Sequence, residues 1–278
     1  MTESKKLDMV DDGASFHHRR SSAFTLIEVL VVVGIVAILA SMLLPSLSSA
    51  REQGRAVVCR SNIRQILLAN GYYTEDYRGV YCPGASDFMA NLHRWHGERD
   101  HSSQPFDSTR GPLEPYLGSD GEIRQCPTFP AEQIAAESGG FERGNGGYGY
   151  NNNFVGVQLT EYPSGAYIVS DDRAGTLASR IQRPAETIMF TDSAFAAAGL
   201  IEYSFAESRF PPQYPGYRGV PSIHFRHHKL TNVGWCDGHV DARPMTFTHW
   251  SRLYRSDPKR FDIGWFGEAD DNRWFDLK

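Results

Sequence analysis

Between Phe24 and Leu44 the chain reads FTLIEVLVVVGIVAILASMLL, 21 residues that carry a single charge, Glu28. At a rise of 1.5 Å per residue, such a helix spans about 30 Å, the thickness of a bilayer's hydrocarbon core. A buried core helix is the competing reading, but it would be shorter or would keep a polar face. One crossing of a membrane is therefore expected over residues 24–44. Glu28 then needs a partner, because an ionisable group at that depth costs about 2.5–3.5 kcal/mol on insertion scales. No basic residue within the run can neutralise it. A cut between Ala23 and Phe24 would create one, since the new α-amino group of Phe24 lies four residues, about 6 Å along the helix, from Glu28. If Glu28 of one chain pairs with the Phe24 amine of the next, two desolvation costs are offset together and an axial stagger between helices is set.

The 278 residues, 41% of them apolar, suffice for one anchor plus one large or two small domains with a real core. Net charge is −5, and the first 23 residues balance four basic side chains (Lys5, Lys6, Arg19, Arg20) against four acidic ones (Glu3, Asp8, Asp11, Asp12). No basic face is foreshadowed, so a nucleic-acid partner is not expected. Four cysteines, Cys59, Cys82, Cys126 and Cys236, lie far apart without a C-x-x-C pair, which excludes zinc-ribbon spacing. Outside the cytoplasm they can form one or two disulfides, and the sequence leaves all three full pairings open.

A second processing site competes with the first. Ser48-Ser49-Ala50 resembles the small-x-small site of a secretory signal, and cleavage there would release a soluble chain starting at Arg51. Against it stand Glu28 and an apolar stretch longer than the usual 7–15 residues. Charge gives no clear orientation: Arg19 and Arg20 precede the run, while Arg51, Arg55, Arg60 and Arg64 follow it. Gly34, Ala37 and Ser41 form a stripe of small residues, suited equally to close helix packing and to lipid contact.

Pro45 should kink the helix or locally break its hydrogen bonding, after which a helical pattern resumes over residues 45–78. Val58, Ile63, Ile66, Leu67, Asn70, Tyr73 and Tyr77 recur at mostly three- and four-residue steps and define a face for burial, with Gly79 past the helix end. Beyond residue 80, Gly, Pro, Asp and Asn break the chain into short segments. Strands are expected at Ala166–Ser170, Thr187–Thr191, Thr231–Cys236 and His239–Arg243, and Gly139–Asn153 reads as a long loop. Asp237-Gly238 between the last two strands predicts a two-residue type I′ hairpin turn, with Cys236 and His239 as neighbours. His227 stands ten positions before Asp237, an H-x9-D-G spacing spanning 227–240.

The segment FTLIEVLVVVGIVAILASMLLP resembles the type IV prepilin N-terminus: phenylalanine first, glutamate fifth and proline twenty-second after the cut. The family has glycine before the cut where this chain has Ala23. In the head, QCP (125–127), GYGYN (147–151), RPAETIMFTDS (183–193) and the His227…Asp237-Gly238 motif are similar in order to prepilin-like proteins with a DUF1559-type head and an H-X9-DG motif. The resemblance implies an α+β pilin-like fold, a long helix packed on a mostly antiparallel sheet. It also implies a 1–23 leader on the cytoplasmic side, cleaved by a prepilin peptidase at Ala23/Phe24, with N-methylation of Phe24. The 24–44 helix would then be a single-pass anchor in lipid of a bacterial inner membrane, with a 79–278 head outside the cytoplasm. Glu28 would guide assembly with other pilin-like subunits and secretion or pilus machinery into a type II secretion-like pseudopilus or a type IV pilus-like filament. A membrane-tethered module that binds polysaccharide or another surface ligand is the alternative.

His224, His227, His228, Asp237, His239 and Asp241 crowd one stretch, and a metal site or acid–base chemistry built on His227, Asp237, His239 and Asp192 is the remaining reading. The simpler reading has the Asp237 side chain bonding within its own turn and His227 hydrogen-bonding to Asp237 to fix the hairpin. No G-x-S-x-G, Walker loop or HExxH occurs, so neither an enzyme nor a cofactor is expected. Trp235, Trp250, Trp265 and Trp274 suit a sugar-stacking surface, but core positions are favoured.

Overall fold

The computed structural model describes residues 25–118, 123–129, 142–197, 199–250 and 256–278. The chain divides into two compact units, Met1–Ser48 and Ser49–Lys278. In the first, helix α1 (Leu26–Asp76) begins, and its apolar side chains from Leu26 to Leu47 are all exposed. This is the one helix among the described residues long and apolar enough to cross a membrane. Helical structure continues through Pro45, whose ring removes one N–H from the ladder. Nearby, Ser41 and Ser46 donate their hydroxyls back to the carbonyls of Ile38 and Leu43 at 2.7 and 2.8 Å.

The second unit is α+β. Its share of α1 buries Ala56, Cys59, Asn62, Ile63, Ile66, Leu67, Ala69, Asn70 and Tyr73, steps of three and four residues that keep one face inward. Val58 and Tyr77, expected on that face, are exposed, and Cys59 and Asn62 occupy it instead. The helix ends as anticipated before Gly79: Arg78 adopts a left-handed conformation (φ 58°), and Gly79 N–H bonds back to Thr74 O at 2.8 Å.

Twelve strands follow among the described residues. The short hairpins are β1 (His93–Arg94) with β2 (Gly97–Glu98), β4 (Gln158–Glu161) with β5 (Tyr167–Asp171), and β7 (Phe195–Ala196) with β8 (Leu200–Ile201). Strand β9 (Ile223–His224) pairs with β12 (Ile263–Gly264). The central sheet has β3 (Tyr148–Tyr150), β6 (Ile188–Asp192), β10 (Leu230–Trp235) and β11 (Val240–Pro244) in the order β11-β10-β6-β3, all antiparallel. Strand β3 lies inside the stretch read as a loop, whose residues 139–141 fall outside the described residues. A glycine in its middle hid it: a Cβ on Gly149 would stand 2.6 Å from the Phe205 backbone and from the Ser193 side chain. The strand excludes side chains there because another segment of backbone passes over it.

Register fixes which side chains face α1. Tyr148 opposes Asp192 and Tyr150 opposes Phe190, while Phe190 opposes Gly234 on β10. Against them, Asn62 donates to the Tyr148 hydroxyl at 3.0 Å and Asn70 to the Tyr150 hydroxyl at 3.1 Å. Asn70 Oδ1 also accepts the Cys82 N–H at 3.0 Å, so two buried amides tie helix to sheet without stranded polar groups on these contacts. At Gly234 helix and sheet approach closely, since a Cβ there would lie 2.6 Å from the Ile63 side chain and 2.8 Å from that of Leu67. Gly234→Val is expected to cost about 1–3 kcal/mol through overpacking. Urea unfolding of the variant checks this, and an unchanged midpoint would show that the helix has room to move away.

Two turns flank β10, and they are the reverse of expectation. After β10, Gly238 N–H bonds to Trp235 O at 2.9 Å and Trp235 N–H to His239 O at 3.0 Å. Gly238 is left-handed (φ 91°) and Asp237 is not, so the loop has three residues and closes with a bulge rather than as type I′. Trp235, not Cys236, therefore stands opposite His239, and their rings stack 5.6 Å apart. The type I′ geometry occurs before β10: His228 and Lys229 have φ of 51° and 65°, and His227 and Leu230 exchange both backbone hydrogen bonds at 3.0 Å. Neither residue is a glycine or asparagine, so composition gave no sign of it.

Candidate functional site

Ala23 and Phe24 lie outside the described residues. Glu28 stands in the first turn of α1, where its Oε2 accepts the backbone N–H and the hydroxyl of Thr25, each at 2.8 Å. The Glu28 N–H in turn reaches the Thr25 hydroxyl at 3.3 Å, which completes a capping box. Within a single chain, Glu28 thus already has local donors that satisfy one of its oxygens.

His227 and Asp237 sit beyond opposite ends of β10, a strand of six residues that is about 20 Å long. The H-x9-D-G spacing therefore measures one strand with a turn at each end, and His227 makes no bond to Asp237. Asp237 Oδ1 accepts from His239 N at 3.1 Å and stands 2.6 Å from His239 Nδ1, inside its own turn. Asp192, at the end of β6, lies at the other end with His227. Asp237 and His239 are thus separated from His227 and Asp192.

What the fold gathers around His227 is a different set. The ligating atoms of Cys59 (α1), Cys126, Asp192 (β6) and His227 lie within 4.8 Å of one another, and all four residues are buried. His227 Nε2 is 3.6 Å from Cys126 Sγ and 3.6 Å from Asp192 Oδ2. Its other nitrogen, Nδ1, lies 3.0 Å from Glu52 Oε1, which also accepts the Thr128 hydroxyl at 2.9 Å. Asp192 Oδ2 accepts the backbone and side-chain N–H groups of Asn232 at 2.7 and 3.0 Å, while buried Oδ1 has no hydrogen-bond partner. Arg226 approaches Oδ1 to 3.9 Å and is held by donating to Gly147 O and Ser193 O.

Close packing of these groups redistributes their protons. Burial opposes a charge on the Cys126 thiol, but hydrogen bonding to Cys59, the Arg226 guanidinium and hydrogen bonding to His227 outweigh it and hold the group at about 5. Cys59 moves up, through its hydrogen bond to Cys126, burial, and the charges of Cys126 and Asp192. For His227, burial disfavours the cation, yet hydrogen bonds to Asp192 and Cys126 raise it to about 10. The two thiols shift in opposite directions because they are adjacent acids in contact with one another.

The other sequence candidates have structural surroundings. None of the four cysteines is disulfide-bonded. Trp235 and Trp265 are fully buried, Trp274 packs against Trp235 at 5.7 Å, and Trp250 is exposed. The head also carries an open cleft of about 900 Å³ lined by, among others, Phe88, Met89, Tyr203, Glu207, Tyr214 and Tyr217. Glu52, Cys59, Cys126 and Arg226 were missed from the sequence as site residues, the two cysteines being legible only as disulfide partners. The only available sign was that Glu52 and Cys59 are seven residues apart, two turns along one helix face.

Residues 18–44 match the family described as the prokaryotic N-terminal methylation motif. Over 58 residues the chain is 40% identical to the type II secretion system core protein G of Pseudomonas aeruginosa, a stretch covering 21% of this chain and 41% of that protein. Over 81 residues it is 31% identical to the type IV wide pilus major component PilA4 of Thermus thermophilus, covering 27% of this chain and 62% of that protein. The chain thus spans less than two thirds of either relative's length. No solved structure matches it. It carries a prepilin-type N-terminal motif and partial similarity to a pseudopilin and to a type IV pilin.

Proposed function

We propose that this chain is a pilin-like structural subunit of the pseudopilin kind. A prepilin peptidase cuts it between Ala23 and Phe24, Phe24 is N-methylated, and residues 24–44 hold it in a bacterial inner membrane. The leader, residues 1–23, stays on the cytoplasmic side and the head lies outside. From the membrane the subunit joins other pilin-like subunits in a pseudopilus or pilus-like filament, with Glu28 guiding its addition. The observation that carries this reading is a coincidence: the matched methylation motif, residues 18–44, falls on the start of the one described helix long and apolar enough to cross a membrane, and Glu28 is the only charge in its apolar stretch, residues 24–44. The head, with its H-x9-D-G segment at 227–240, is read as a DUF1559-type head that performs no catalysis.

Its test is the N-terminus of the mature protein purified from membranes. Sequencing with mass measurement is expected to find methylated Phe24 at the start. A chain that begins at Arg51 would instead mark an ordinary secreted protein. The open aromatic-lined cleft favours a second reading, a tethered module that binds a surface ligand such as polysaccharide.

A further inference from the structure

We propose that Cys59, Cys126, His227 and Asp192 bind one structural zinc ion inside the head. The inference stands apart from the filament role, since every donor lies within the Ser49–Lys278 unit. Two sulfurs, one imidazole nitrogen and one carboxylate oxygen form a donor set typical of zinc, which takes four such ligands tetrahedrally. Bond lengths of about 2.3 Å to sulfur and about 2.0–2.1 Å to nitrogen put tetrahedral S···N edges near 3.6 Å. The Cys126 Sγ to His227 Nε2 separation is 3.6 Å, and all ligating atoms fall within 4.8 Å of one another.

The surroundings are arranged for such an ion. Glu52 sits on the far nitrogen of His227, the carboxylate–histidine–metal arrangement that fixes the ring and leaves Nε2 to coordinate. Asn232 grips Asp192 Oδ2 and leaves buried Oδ1 without a partner, an oxygen that a cation would satisfy. Two thiolates and a carboxylate around a divalent ion leave one negative charge, and Arg226 beside Oδ1 balances it. With four protein ligands the sphere is closed, which suits a structural rather than a catalytic ion.

The ligands come from α1, the 123–129 segment, β6 and the turn before β10, so the ion would join four otherwise separate stretches of chain. This gives His227 of the H-x9-D-G spacing a role that Asp237, at the far end of β10, does not share. A disulfide between Cys59 and Cys126 is the competing use of the two sulfurs. It would leave the convergence of His227 and Asp192 on the same point without a purpose.

The test uses full-length protein purified in detergent without chelators. Elemental analysis is expected to find about one zinc per chain, falling to trace in Cys126→Ser and His227→Gln. Should those variants not fold, the unaltered chain still decides. Replacing its metal with cobalt(II) is expected to give the intense visible bands of a tetrahedral ion and a sulfur-to-cobalt charge-transfer band. Zinc-free protein lighter by two hydrogen atoms, with Cys59 and Cys126 in one linked peptide, would overturn the proposal in favour of the disulfide. Stoichiometric zinc retained in Cys126→Ser would overturn it as well.

Discussion

Replacing Glu142 with alanine is expected to destabilise the head by about 3–5 kcal/mol, the range for removing one partner of a buried ion pair. Arg94 and Glu142 have side chains only 2% exposed, and Arg94 donates to both carboxylate oxygens through Nε and Nη2 at 3.0–3.1 Å. The guanidinium lies among the rings of Phe88, Phe106 and Phe205, 5.3–5.8 Å from their centroids, which offer it no charged replacement for the carboxylate. Asp87, 3.8 Å from Nη1, offers partial compensation. The Ser204 hydroxyl, which donates to Glu142 and lies 2.7 Å from His96 Nε2, loses its acceptor in the same change. Guanidinium chloride unfolding should show a lower midpoint with an unchanged slope. For a unit of this size, the melting temperature should fall by about 6–20 °C. A loss below about 0.5 kcal/mol would mean that Arg94 reaches solvent or re-pairs fully with Asp87.

That pair was not legible in the sequence, and the reason is general. Residues 94 and 142 are 48 positions apart, and no local pattern marks one as the other's partner. The same holds for the Cys59, Cys126, Asp192 and His227 cluster, which exists only once the helix lies on the sheet. Local signals fared differently. The long apolar run and its one charge fixed the start of α1, and the four expected strands match β5, β6, β10 and β11 within a residue at each boundary. Alternation and β-branched content are read within a few neighbours, so tertiary context has little to add there. Where context did override, the cause can be named. Glycines required by close backbone passage disguised β3, and a type I′ turn at His228-Lys229 lacked the residues that usually announce one. The helix face was turned slightly, exposing Val58 and burying Cys59, because burial there follows a polar and sulfur-bearing cluster rather than aliphatic periodicity alone.

Glu28→Gln and Glu28→Ala are both expected to reduce incorporation into filaments on the order of 100-fold, alanine somewhat more, while leaving membrane insertion intact. The cost of an ionisable group in the bilayer, roughly 2.5–3.5 kcal/mol, corresponds to an equilibrium ratio of that order. Without the carboxylate, the Phe24 amine of the adjoining subunit has nothing to offset its desolvation. The capping box makes the pair of variants informative. Glutamine can still accept from the Thr25 N–H and hydroxyl, so it preserves the helix start and removes only the charge. Alanine removes both, and the lost cap is worth only about 1 kcal/mol. Thr25→Val is the converse change, loosening the cap while keeping the charge, and it should assemble nearly as the unaltered chain does. Co-purification of each variant with sheared filaments, normalised to its amount in the membrane, measures the three outcomes. If Glu28→Gln assembles normally and Glu28→Ala does not, Glu28 serves the helix start, and the pairing with Phe24 is wrong.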